Sequence, residues 1–167
     1  MALAVVQNCR RSLMSDMLVR LYGLRENDVK VPDGVEVRRA LSLERHLVCR
    51  WVGQTFSTGW ASECEISFSR VPIACIIATL DGTVIGFCCY DSTSRGVAGP
   101  IGVADAHRGK NIGSALILEA LADMKANGYA YAILGWVGPE RFFERVVGAT
   151  VIEGSEPGLY RGLLPGT

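Results

Sequence analysis

Gly102-Val103-Ala104-Asp105-Ala106-His107-Arg108-Gly109-Lys110-Asn111-Ile112-Gly113-Ser114-Ala115-Leu116, residues 102–116, is the stretch on which the reading of this chain turns. An apolar run ends at Val103 and a short polar connection follows. Ile112, Ala115, Leu116, Leu118, Leu121 and Met124 then recur at helical spacing until Asn127-Gly128 stops them. The order is strand, glycine-containing turn, helix. A helix start presents N–H groups with no intrahelical partner at the positive end of the helix dipole, which suits an anion. Gly109 and Gly113 allow a phosphate close to the backbone, and Arg108 and Lys110 add positive charge there. The spacing is neither G-x-x-x-x-G-K-[ST] nor G-x-G-x-x-G, so the two commonest phosphate loops are excluded.

Upstream, Val97 to Val103 reads as a strand interrupted by Gly99-Pro100, a sign of a bulge or of close backbone approach. Before it lies a hairpin: Ile73 to Leu80, the turn Asp81-Gly82, and the return Thr83 to Tyr90. Nearer the start, Val35 to Arg38 alternates like a half-buried strand after the turn 31–34. Ser42 is a candidate cap for a helix with the stripe Leu43, Leu47, Val48, Trp51 and Val52. Leu13, Met14, Met17, Leu18 and Leu21 predict a helix over 13–24, so residues 1–33 read as a helical extension and 34–167 as the main domain. Downstream, Tyr129 to Val137 is an apolar strand, and Gly138-Pro139 opens a short helix carrying Phe142, Phe143, Val146 and Val147. A last strand pair is expected near 150–152 and 159–161. Strands mixed with helices on both faces give a three-layer α/β domain.

Composition narrows the function. The 167 residues fit one domain, 49% are apolar, and 17 basic residues balance 17 acidic ones. No global field favours nucleic acid or an anionic membrane. The N-terminus lacks the form of a signal peptide and no apolar stretch reaches 18 residues, so a cytoplasmic protein is expected. Cys9, Cys49, Cys64, Cys75, Cys88 and Cys89 form no C-x-x-C pair, and several lie inside apolar runs. Reduced, buried thiols and no metal are expected.

The segment Arg108-Gly109-Lys110-Asn111-Ile112-Gly113 resembles the signature of the GNAT superfamily of acyl-CoA-dependent N-acetyltransferases. That signature is Arg or Gln, two residues, Gly, one residue, Gly or Ala, between a strand and a helix. Asn111 stands where the first Gly is usual, a mild change because Asn tolerates left-handed backbone well. The kinked strand before it also fits, as do Arg141-Phe142-Phe143-Glu144-Arg145 with Gly148 and the opening strand Val35 to Ala40. The resemblance, over about residues 34–164, implies the three-layer GNAT fold: a central mixed, mostly antiparallel sheet flanked by helices. It implies acetyl-CoA as acyl donor, with its pyrophosphate on the backbone of Arg108, Gly109, Lys110, Asn111, Ile112, Gly113 and Ser114. The pantetheine arm would lie along Ile101, Gly102 and Val103, with Phe142 and Phe143 beside it.

An alkyl ammonium must lose a proton before it attacks a thioester. The kinked strand carries no Asp or Glu, so Asp91 and the pair Glu63/Glu65 are the candidate bases, Asp91 ranking first. Phe143 stands where the family often has the tyrosine that protonates the thiolate, and Tyr160 is the candidate replacement. Trp136 and Pro139 replace an Asn and an Ala usual before the last helix. The implied acceptor is an amine of a small molecule: an amino sugar, polyamine, amino acid or aminoglycoside. The alternatives are a protein N-acetyltransferase and a non-catalytic acyl-CoA-binding module. A homodimer is compatible with either.

Overall fold

A computed structural model describes residues 14–164. Seven strands form one sheet: β1 (Met17–Arg20), β2 (Val35–Arg39), β3 (Cys75–Leu80), β4 (Thr83–Tyr90), β5 (Val97–Val103), β6 (Tyr131–Leu134) and β7 (Thr150–Val151). Their spatial order is β2-β3-β4-β5-β6-β1-β7, antiparallel throughout except for the parallel pair β5–β6. Four helices, α1 (Arg45–Thr55), α2 (Thr58–Ser67), α3 (Ile112–Ala126) and α4 (Glu140–Val147), cover the two faces. This is the three-layer α/β architecture expected. No helix among the described residues is long and apolar enough to cross a membrane.

Strand alternation builds a core on each face of the sheet. Ile76 and Ala78 of β3, with Ile85, Cys88 and Tyr90 of β4, join the core beneath α3 and α4. Cys75 and Ile77, with Phe87 and Cys89, join the core beneath α1 and α2. The adjacent cysteines 88 and 89 therefore sit on opposite sides. The hairpin turns at Asp81 (φ 49°) and Gly82 (φ 75°), the pair of left-handed residues that matches strand twist. Helix α3 anchors one face by burying Ile112, Leu116, Ile117, Leu118, Leu121 and Met124, each worth about 1.5–3 kcal/mol of transfer free energy.

Three sequence expectations are corrected. The segment expected as helix 13–24 instead forms strand β1 followed by a 3-10 turn, Leu21–Gly23; Leu13 lies outside the described residues. Met17, Val19 and Leu21 are fully buried with period two, and β1 lies between β6 and β7. A short apolar run fits both periods, and pairing on both sides decides for the strand. So in its described part the expected helical extension is a strand of the sheet. The second of the two last strands is absent: β7 pairs with β1, and 158–160 is a 3-10 turn. In α1 the buried stripe is Val48, Cys49 and Val52, while Leu43 and Leu47 are exposed.

Candidate active site

The parallel pair β5–β6 is in register only at Val97/Ile133 and Ala98/Leu134, helped by the Ile133 N–H donating to Gly96 O at 2.8 Å. Beyond Ala98 the two strands part. Ile101, Gly102 and Val103 remain paired with Cys88, Phe87 and Gly86 of β4 and have no strand partner on the β6 side. The β4–β5 register shifts between Cys88 and Tyr90, which re-aims β5 where the gap opens. Gly99 has φ 133°, a conformation that excludes most other residues, and a Cβ there would meet nothing within 4 Å. The space beside the kink is open. On the α2 side, the Phe56 ring lies over Gly102, where a Cβ would come within 2.5 Å of it.

The broad end of the gap leads to the start of α3. Gly109 (φ 73°) and Asn111 (φ 63°) are both left-handed, so Asn111 takes the conformation that the usual glycine supplies. Arg108 donates from Nε to Val103 O at 3.2 Å and pairs with Asp105 at 3.0 Å. Lys110 donates to Ala106 O at 3.2 Å. Both basic side chains are exposed at the helix entrance. A Cβ on Gly113 would stand 3.6 Å from Phe142 and 3.8 Å from Val103, so a methyl group fits there and a large side chain does not. Bare backbone N–H groups, two cations and a glycine at closest approach suit a diphosphate. Phe142 walls this loop and meets Phe143 edge-on at 4.9 Å; Phe143 itself is core.

At the narrow end three polar side chains converge from distant segments. Thr93, in the loop between β4 and β5, donates its hydroxyl to the Glu63 carboxylate of α2 in a very short contact. Burial raises the Glu63 pKa from its ordinary value, and the Thr93 hydrogen bond partly opposes this. Tyr160 lies within the field of Glu63 and Asp16 and interacts with Thr93. Burial first, then the Glu63 charge, raises its pKa, which keeps the phenol protonated. Its hydroxyl occupies the space that a Cβ on Gly135 would need, 2.9 Å away. Gly135 follows β6, and Ser92 donates to Gly99 O at 3.1 Å, so the cluster spans the apex of the gap.

Tyr160 is seated from both ends of the chain. Its ring lies 4.2 Å from that of Trp136. Trp136, left-handed at φ 45°, donates its backbone N–H to Asp16 Oδ1 at 3.0 Å and its indole N–H to Pro157 O at 3.2 Å. Ser15 Oγ donates to Glu156 at 2.7 Å, and the Asp16 N–H donates to Ser155 Oγ at 2.8 Å.

The other carboxylates singled out in the sequence lie elsewhere. Asp91 has both oxygens engaged: Oδ1 accepts from the Gly96 N–H at 2.7 Å and Oδ2 from the Tyr129 hydroxyl at 2.8 Å. It clamps the turn between β4 and β5. Glu65 is exposed, 4.0 Å from Arg45 on the outer side of α1 and α2. Two residues along a helix turn a side chain through about 200°, so Glu63 and Glu65 face opposite ways. Sequence reasoning missed Thr93, Gly135, Trp136 and Asp16 as parts of one site.

Solved structures with this fold include a glucosamine N-acetyltransferase region of a fungal multi-domain GH3 beta-N-acetylglucosaminidase. It has a TM-score of 0.65 and 18% identity over 85% of this chain and 20% of that one. A GCN5-related N-acetyltransferase from Sphaerobacter thermophilus aligns with TM-score 0.66 and 21% identity over 84% of this chain and 49% of that one. Another, from Kribbella flavida, gives 0.58 and 17% over 84% and 55%. The chain thus spans a fifth to about half the length of these neighbours, and at such identities the likeness is one of fold. A search of curated protein sequences returned no match. The sequence model of the Acetyltransferase (GNAT) family matches residues 42–148, from the helix that begins the α1 layer to the end of α4. With well over half its length matched, the chain belongs to the GNAT acetyltransferase family.

Proposed function

We propose that this N-acetyltransferase acts on a primary amine of a small molecule, with Glu63 removing the amine's proton and Tyr160 protonating the departing thiolate. The observation that carries this reading is the Glu63–Thr93–Tyr160 cluster at the apex of the gap between β5 and β6. A carboxylate whose pKa is raised by burial is a stronger base than a solvated one. Tyr160 keeps its proton until a thiolate is formed beside it. Thr93 holds Glu63 in place and is itself able to pass a proton.

The parts divide the work along the gap. The backbone of Arg108 to Ser114 and the cations Arg108 and Lys110 hold the diphosphate, while the bare edge of Ile101 to Val103 accepts the extended arm. In this reading the developing oxyanion is stabilised by backbone N–H groups of the kinked strand, of which Pro100 itself has none. On the acceptor side, the half-buried Glu63 lies one turn beyond Trp60, which packs on Phe56 at 5.2 Å. A recessed carboxylate beside aromatic rings suits a compact cationic amine. Asp91 serves in this reading as a clamp on the loop that carries Thr93.

The test is turnover of acetyl-CoA against a panel of amines, read as released thiol. The panel holds glucosamine, spermidine, amino acids, an aminoglycoside, and peptides with free N-termini or lysines. Saturable thiol release with a small amine supports the proposal. Release with peptides alone would assign a protein acceptor, and no release with any amine while acetyl-CoA binds would make the protein a non-catalytic module.

A further inference from the structure

Four of the five described cysteines converge in the core under α1 and α2, although no two of them are close in sequence. The sulfurs of Cys64, Cys75 and Cys89 all lie within 4.8 Å of one another. Cys49 of α1 approaches Cys64 of α2 with sulfurs 3.7 Å apart. Cys64, Cys75 and Cys89 are completely buried, whereas Cys49 retains 6% exposure. Cys49 also lines an open cavity of about 810 Å³ beside Arg45, His46 and Arg50. Contact with Cys64 lowers the Cys49 pKa below that of an ordinary thiol; burial and then Glu65 oppose this, and the nearby Arg45 supports it.

We infer that Cys49 and Cys64 form an oxidisable dithiol, in which hydrogen peroxide entering from the cavity attacks Cys49 and Cys64 then closes a disulfide between α1 and α2. The helices are already packed tightly enough. One turn from each cysteine, a Cβ on Gly53 would touch the Ala61 Cβ at 3.4 Å. Closing the sulfur separation from 3.7 Å to about 2.05 Å needs a shift of less than an ångström from each side chain. The steps balance. Cys49 thiolate takes one oxygen from peroxide to become sulfenic acid, and hydroxide leaves. The Cys64 sulfur attacks the Cys49 sulfur, and the sulfenic oxygen departs as water with the Cys64 proton. The net change is two thiols and one peroxide to one disulfide and two waters. Cys75 and Cys89 face each other across β3 and β4 but have no surface through which an oxidant arrives. Cys88 points into the other core.

The experiment treats the folded protein, carrying Cys9→Ser so that the remaining thiols alone report, with stoichiometric peroxide. Alkylation and peptide mass spectrometry follow. The expected product lacks two free thiols and has a crosslink between the peptides holding Cys49 and Cys64. Cys49→Ser and Cys64→Ser should each abolish the crosslink, and Cys88→Ser should leave it intact. Should either serine variant fail to fold, the order of alkylation in the reduced parent decides: Cys49 reacts first, and prior peroxide blocks it. A Cys75–Cys89 crosslink, a sulfinic acid at Cys49 without a disulfide, or crosslinking only in urea would overturn the inference.

Discussion

The two ends of the gap between β5 and β6 are built in opposite ways. The proposed donor end is contiguous: one run from Ile101 to Ser114 supplies the bare strand edge, the left-handed turn and the helix start. The proposed acceptor end is assembled from Glu63, Thr93 and Gly135 with Tyr160, contributed by a helix, two loops and a 3-10 turn. Backbone does most of the work at the first end and side chains at the second. A local sequence pattern therefore defines the donor end, and only the tertiary fold defines the acceptor end.

That contrast predicts graded effects. Gly113→Trp fills the space between Phe142 and Val103 and should remove measurable CoA binding, read as the loss of the thermal shift that CoA gives the parent protein. An unchanged shift in the folded variant would break the donor half of the comparison. Glu63→Gln comes next. It should lower kcat/KM at neutral pH by about 10²–10³-fold while leaving CoA affinity intact. Glu63 must be ionised to accept a proton, so parent activity should fall as pH drops through its pKa. Because burial raises that pKa, the fall begins at higher pH than for a solvated carboxylate. In Glu63→Gln this limb should vanish, and activity should recover at high pH where free amine is abundant. A pH profile of Glu63→Gln parallel to that of the parent would remove Glu63 from the chemistry.

Tyr160→Phe should cost less, about tenfold in kcat with acceptor KM nearly unchanged, because thiolate is already a fair leaving group. A rise in KM alone would make Tyr160 a wall of the pocket. Asp91→Asn should barely change kcat but destabilise the fold by about 1 kcal/mol, since one of its two accepted hydrogen bonds is lost. Denaturant unfolding beside a rate assay separates the two. If Asp91→Asn lost a hundredfold in kcat at unchanged stability, the base would have to be reassigned. Glu65→Gln, on the outer side of α2, should alter neither.

The same contrast explains what was legible in the sequence. The turn at Gly109 and Asn111 is encoded by residues that tolerate positive φ, and the α3 stripe runs unbroken for four turns, so both are readable locally. The hairpin turn at Asp81-Gly82 is encoded in the same way. Strand β1 is not readable locally because four residues carry little periodicity, and its state is decided by β6 and β7 more than 100 residues away. The sequence marks Glu63 as a candidate, but only the direction of α2 separates it from Asp91. That helix begins where the Ser57 hydroxyl accepts from the Trp60 N–H at 3.1 Å. No local signal marks Thr93, whose role arises from a partner 30 residues back in the chain.

The hydrogen bonds from Ser15 to Glu156 and from Asp16 to Ser155 close loops of 141 and 139 residues. Such closures come late, because the loop entropy must be overcome before the contacts reward it. On the ribosome, the strand at Met17–Arg20 must wait for β6, and Tyr160 has no seat until Trp136 and Asp16 are both in place. The contiguous loop at the start of α3 is complete some 45 residues of synthesis earlier. A nascent chain would thus acquire the proposed donor loop well before the proposed acceptor pocket, and a chain cut back to the family-matched residues 42–148 would lack β1, β2, β7 and Tyr160 altogether.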